Sequence, residues 1–307
     1  MKPEIAKSRQ RVLDANPPLG DEIKRSALQL LTDMRDRLAL RTDADADALV
    51  EIVHQTRVDS KRLRALWRLL KPGLEAGDYR RLEQLSKGLA KPLATSRDAQ
   101  VMQETLAWVS ADFAEEVRQR LLSGLAQLLE PQTKVEEPAL TQVAQALLRL
   151  EQAVETIELS PIRYRHLRKG LKQTCRKGEY FAEKALQQHA MEPMHRWRKW
   201  AKLLQFQSSW LLDQSALDWL QPLKALGSAL GKLHDLDVLA ERMEGARDRL
   251  WQQDLEHLRA GIEAARQQKL VEIDRLAGEV YAEGARKRAK QVYRCWERQA
   301  KQKKEQE

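Results

Sequence analysis

The sequence predicts an all-α protein built as two similar helical bundles, and three observations carry that expectation. Leu, Ala, Arg, Lys, Gln and Glu dominate the 307 residues while Val, Ile, Thr, Phe and Tyr are sparse, a composition that forms helices and leaves little for a sheet. Helix-breaking residues fall between stretches of helical period, at Pro17-Pro18-Leu19-Gly20, Lys71-Pro72-Gly73, Pro92, Pro131, Pro138, Ser160-Pro161, Pro193 and Pro222. The two halves are also alike. His54 to Lys61 shares the frame H-x-x-R-x-x-x-K with His195 to Lys202, and Leu93 to Met102 aligns without a gap on Leu230 to Leu239, pairing Leu93 with Leu230, Asp98 with Asp235 and Val101 with Val238. Matches in the same order in both halves mark a duplicated unit.

Taken in order, residues 1–20 form an N-terminal extension, with no apolar stretch behind Lys2, Lys7 and Arg9 to make a secretory signal. Residues 21–158 make the first bundle half and contain the best loop candidate, Leu129 to Pro138. Ser160-Pro161 reads as an N-cap with proline at the first helical position. It opens the second bundle half, 159–300, and residues 301–307 are a polar tail. No apolar run approaches the roughly 20 residues that span a bilayer, so no membrane is expected. Cys175 and Cys295 are too few and too far apart for a disulfide framework or a thiolate zinc cage. They fit a reducing compartment, and the cytoplasm is the expected location.

The formal net charge of +9 conceals a strong segregation. Residues 54–71, 162–178, 194–204 and 284–304 together carry +24, which leaves −15 on the other 240 residues. An acidic protein with strongly basic segments set into it is built to meet a polyanion. Asp59 and Glu297 are the only acids in those four segments.

Each segment resolves into a stripe. At 100° per residue His54, Arg57, Lys61, Arg64 and Arg68 fall within an arc of about 80°, with Leu63, Leu66 and Leu70 opposite. The helix therefore packs on leucines and shows solvent a cationic row about 21 Å long. Arg62 points away from this row but stands among the candidates. Arg165, Arg168, Lys169, Lys172 and Arg176 repeat the pattern, with Leu167, Leu171 and Thr174 behind them. Like charges on one helix face repel, so an anion is needed to offset them. In the second half His195, Arg198, Lys199 and Lys202 recur, but Gln205, Ser209 and Leu212 replace Arg64, Arg68 and Lys71, which makes this the weaker copy. Arg286, Lys290, Arg294 and Lys301 form a further stripe backed by Val292 and Trp296. A straight row of guanidinium and ammonium groups matches a line of phosphates, whereas a catalytic site needs groups converging on one point.

Other motifs carry less. His54 and His195 sit in line with Arg and Lys and read as anion contacts; neither has the second His or acid that a zinc site needs. His234-Asp235 could serve a metal-dependent phosphohydrolase, but its counterpart Arg97-Asp98 cannot bind metal in the same way. Both pairs are therefore read as helix-start or ion-pair structure. Gly227-Ser228-Ala229-Leu230-Gly231-Lys232-Leu233 imitates a phosphate-binding loop with the wrong spacing and Leu where Ser or Thr must hold magnesium. Among Trp67, Trp197, Trp200 and Trp296 only Trp197 is a candidate for base stacking, the others being core.

At these residues the chain resembles the conserved histidine α-helical domain family, known as CHAD. Val53 to Leu70 is similar to the family's VHxxRVxxRRLR signature, with Lys61 where Arg is usual. Ser96 to Val101 and Leu233 to Val238 resemble its RDxDV elements. Gly170 to Gly178 and Met194 to Phe206 resemble its basic helix and second histidine helix, with Leu203 and Gln205 in place of basic residues. The likeness covers roughly residues 21–300. It implies two helical bundles related by a pseudo-twofold, with basic helix faces lining a central channel. It further implies binding of inorganic polyphosphate, association with polyphosphate granules, and polyphosphate-metabolising enzymes or granule proteins as further partners; the stripes, nearly free of carboxylates, are expected to hold the ligand without catalysis and without a cofactor. Nucleic acid is the rival ligand, disfavoured by an aromatic content of only 5%.

Overall fold

The structure, a computed structural model, describes residues 12–14, 17–42, 44–93, 98–129, 137–188, 190–213, 215–245 and 247–306. Among the described residues there are eleven α-helices and no strand: α1 Leu19–Ala39, α2 Ala46–Leu70, α3 Ala76–Ala90, α4 Asp98–Val109, α5 Glu115–Leu129, α6 Glu137–Thr156, α7 Tyr164–Gln188, α8 Met191–Ser209, α9 Leu220–Gly245, α10 Gln252–Tyr281 and α11 Gly284–Gln306. One-turn 3₁₀ segments at Lys71–Gly73 and Lys91–Leu93 follow α2 and α3, where proline ends each helix. Pro138, Pro193 and Pro222 lie in the first turns of α6, α8 and α9, where a missing N–H costs nothing. The loop expected at Leu129 to Pro138 joins α5 to α6, and its residues 130–136 lie outside the described residues.

One boundary differs from the sequence expectation. Ser160-Pro161 forms a turn, closed by the Ile162 N–H donating to the Leu159 carbonyl, and α7 begins only at Tyr164. The cap comes from further on: His166 Nδ1 accepts from the Arg163 backbone N–H at 3.1 Å, the reach-back of a capping box with an imidazole in the usual Glu position. Helix α11 continues through the polar tail to Gln306. At the other end, Leu13 is buried within the expected N-terminal extension. Its N–H donates to the Trp210 carbonyl, and its own carbonyl accepts from Trp296 Nε1.

The leucine faces set opposite the basic stripes are the faces that pack. Leu63, Leu66 and Leu70 of α2 are wholly buried, as are Leu167 and Leu171 of α7. The repeat helices α2 and α8 cross antiparallel: Trp210 Nε1 donates to the Arg62 carbonyl, Gln207 Nε2 to the Ala65 carbonyl, and Arg68 lies 4.8 Å from the Trp200 ring centroid. Helix α7 is pressed onto the end of α2 at Gly170, where a Cβ would stand 2.1 Å from the Leu69 carbonyl oxygen. The larger core draws on α1, α2, α3 and α6 together with α7, α8, α9 and α11. A smaller one joins α4 and α5 to the C-terminal part of α9 and the N-terminal part of α10. Both cores therefore cross residue 158, and burying either requires both halves.

Arg62 belongs to this interior. It is 6% exposed, lies 5.5 Å from the Trp210 ring centroid, and pairs with the fully buried Asp59 at 3.3 Å. Asp59 also holds buried Arg37 at 2.9 Å. A carboxylate between two guanidinium groups satisfies charges that would otherwise be costly to bury. Arg62, a candidate in the sequence, is thus a structural residue.

Candidate functional site

Helices α7 and α11 pack antiparallel. Glu179 accepts from the Ala285 N–H near one end, and Tyr164 stacks obliquely on Trp296 near the other, with ring centroids 5.6 Å apart. Because each helix buries its apolar side, the two basic stripes face the same open cleft. This cleft, of about 760 Å³, is lined by Arg165, Arg168, Lys169 and Lys172 from α7 and by Arg286, Lys290 and Arg294 from α11, with Pro72, His166, Tyr293 and Glu297 among the remaining walls. A second hollow of about 580 Å³ shares Arg286 and Lys290 and extends the track to Arg176 and Lys287. From Arg165 to Arg176 the α7 side runs about 17 Å at the helical rise. Acids stand only toward its ends, Glu297 at one and Glu179 with Glu283 at the other.

Three lining groups were not legible as such. Tyr293 follows from no motif. His166 was hidden because its Nδ1 is engaged in capping α7; burial, then Arg165 and Lys169, hold its pKa below the usual histidine range. A ring nitrogen that accepts a hydrogen bond carries no proton of its own. Glu297 was visible in the sequence only as the odd acid of its segment.

The α2 stripe is partly engaged by the protein. Arg57 donates to the Leu93 carbonyl. Arg64 makes a forked contact with one Glu83 oxygen at 2.8 and 3.2 Å, an oxygen that Lys87 also approaches at 3.6 Å. Arg68 covers Trp200, Lys61 is exposed, and His54 is half-buried.

The α8 stripe meets a different surface. Lys202 lies against Gly227, where a Cβ would stand 3.1 Å from its Cε; Arg198 lies against Gly231, where a Cβ would stand 3.6 Å from its Nε; and His195 lies against His234, ring centroids 4.7 Å apart. Each step along α8 is matched by one in reverse along α9. Gly227 and Gly231, which mimic a phosphate loop in sequence, are thus the bare positions that let two cations lie along a neighbouring helix. Burial, with Arg198 and Lys224, holds the Lys202 ammonium below the usual lysine range. Lys199 is exposed.

Two further expectations are corrected. His234-Asp235 sits in the middle of α9 and starts no helix, which leaves the ion-pair half of that expectation; Asp237, one turn on from His234, pairs with Arg266 of α10. In the first half Asp98 opens α4, while Arg97 and the Asp98 side chain lie outside the described residues. Trp197 is fully buried and its Nε1 donates to Tyr281 Oη at 3.1 Å, so it cannot stack on a base. Trp67 and Trp296 are core as expected, whereas Trp200 is half-buried beneath Arg68. Among the described residues no three His, Cys, Asp or Glu side chains are grouped to hold a metal ion, and no helix is long and apolar enough to cross a membrane.

The fold and the site define an all-helical domain with long cationic helix faces and a cation-lined cleft. The family follows from the sequence match: the CHAD domain model covers residues 27–244, so the chain belongs to the CHAD domain family, known in general to bind polyphosphate. The fold agrees with solved structures. The crystal structure of the CHAD domain from the plant Ricinus communis matches with a TM-score of 0.59 at 17% identity, covering 90% of this chain and 96% of that one. PptA from Streptomyces chartreusis matches with a TM-score of 0.57 at 16% identity, covering 89% and 99%. No curated protein sequence matches. Helix α11, with its half of the cleft, lies beyond the matched residues 27–244.

Proposed function

We propose that the protein binds inorganic polyphosphate without hydrolysing it, seating the chain in the α7/α11 cleft and along the stripes of α2 and α8, which together line a central channel. The observation that carries this reading is the cleft: seven cations from two helices line one cavity of about 760 Å³ beside a single carboxylate. A linear polyanion laid there is neutralised from both sides and releases its counterions. The ligand residues proposed are those of the four stripes without Arg62. At polyphosphate granules the same contacts would hold the protein on the granule surface, where granule proteins or polyphosphate-metabolising enzymes are its neighbours. Nucleic acid offers similar charges but gains from stacking platforms, and the one expected here, Trp197, is buried. A competition titration with long polyphosphate, RNA and ATP at fixed salt tests the reading. Long polyphosphate should bind most tightly and ATP weakly, since a nucleotide presents only three phosphates to a track of this length; equal affinities for polyphosphate and ATP would sink it.

A further inference from the structure

Along α8 and α9 the cationic stripe has a third partner besides the two glycines. Gly227, Gly231 and His234 are spaced i, i+4 and i+7 and share one face of α9, which is the face that meets Lys202, Arg198 and His195. Two imidazoles thus come together at the end of the row. The Nδ1 atoms of both His195 and His234 are buried with no hydrogen-bond partner.

The charged groups facing this pair are Arg198 and Lys199 on α8 and Asp235 and Asp237 on α9, with Asp237 itself held by Arg266 of α10. Burial comes first, then the cations of α8, in holding both imidazoles below the usual histidine range. An anion seated against Arg198 removes the repulsion those cations exert. It also supplies the acceptor that an imidazolium N–H needs.

We infer that His195 and His234 are a proton-accepting part of the α8 anion site: when a phosphate chain engages Arg198 and Lys202, the pair takes one proton from solvent, and the protonated ring donates to a phosphate oxygen. The inference rests on the polyphosphate reading and adds His234 to its contacts. A single proton enters because two adjacent imidazolium rings would repel each other, so the pair titrates as a unit. By linkage, a ligand that raises a pKa binds more tightly as pH falls through the range between its free and bound values.

Calorimetric titration with polyphosphate of one chain length, in two buffers of different ionisation enthalpy, counts the protons. Wild-type protein should take up about one proton per occupied α8 site near pH 7. The double variant His195→Gln/His234→Gln should take up about one proton fewer, because either ring alone can hold the single proton, while His257→Gln, which alters an α10 ring beside Phe113, should match the wild type. Affinity should rise several-fold from pH 8 to pH 6.5 in the wild type and rise less in the double variant. Uptake as large in the double variant as in the wild type, or wild-type binding with no uptake, overturns the inference while leaving polyphosphate binding intact. Absence of wild-type binding at every pH overturns the polyphosphate reading, and the inference with it. If the Gln variants do not fold, proton NMR titration of the wild-type histidines with and without polyphosphate decides: His195 and His234 titrations unmoved by the ligand overturn the inference.

Discussion

Replacing Lys172 and Lys290 by alanine should flatten the salt dependence of polyphosphate binding and leave the fold intact. The two lysines come from opposite walls of the cleft, Lys290 exposed and Lys172 half-buried, while the apolar faces of their helices pack elsewhere. If each of the seven cleft cations neutralises one phosphate, counterion release by a flexible single chain contributes about −0.7 per contact to the slope of log K against log salt, or about −5 from the cleft alone. Affinity should then fall about a thousandfold between 50 and 200 mM salt. With two contacts gone the slope becomes about −3.5 and the fall only about a hundredfold. Titrations of labelled polyphosphate at four salt concentrations, with melting temperatures measured alongside, give both quantities. A slope that stays at the wild-type value while the affinity drops would mean that the lysines act locally and not as part of a phosphate track. A wild-type slope near zero would refute the extended track altogether.

Glu83→Gln should strengthen polyphosphate binding several-fold, because the carboxylate that now holds Arg64 in a forked contact competes with the ligand; unchanged or weaker binding would remove Arg64 from the track. Asp59→Ala should destabilise the protein by about 3–5 kcal/mol in urea denaturation, since it leaves Arg37 and Arg62 buried without their shared carboxylate. A loss under about 0.5 kcal/mol would show that the triad is not a structural element. Incubation with polyphosphate and magnesium or manganese should release no phosphate and leave the chain length unchanged, because the basic stripes offer charge stabilisation but little to activate water. Metal-dependent shortening that disappears in Asp235→Ala would favour a hydrolase using His234-Asp235.

The faces were legible in the sequence and their meetings were not. A helical period with charge on one side and leucine on the other fixes which residues share a surface, so Arg165, Arg168, Lys169 and Lys172 on α7 and Arg286, Lys290 and Arg294 on α11 could be grouped helix by helix. That α7 and α11 pair to enclose one cleft depends on which apolar stripes pack, and no periodicity within one helix records that. Arg62 did carry a signal, since it lay off the stripe three residues from the only acid of its segment. Asp59 at that spacing marked an internal pair. Ser160-Pro161 failed because the cap of α7 depends on a histidine three residues into the next segment, against Gly73, where a Cβ would overlap the ring.

Counting charges ranks the halves by the length of their stripes alone. The first stripe is longer, which favoured it, but what a stripe faces matters as much as what it holds. Arg64 meets Glu83, and Arg57 meets a backbone carbonyl. The shorter α8 row meets glycine, glycine and histidine. On the polyphosphate reading, each bare or imidazole position of α9 is one at which no carboxylate stands to compete with an outside anion. The advantage is local, and burial offsets part of it for Lys202, whose ammonium is harder to keep charged. The spacing that announces this arrangement is the i, i+4, i+7 row of Gly227, Gly231 and His234. In the sequence it resembled a failed phosphate loop because glycines near phosphate sites are usually read for the backbone they expose. On α9 they matter for the side chains they omit, and phosphate would be held by the cations that fill the space.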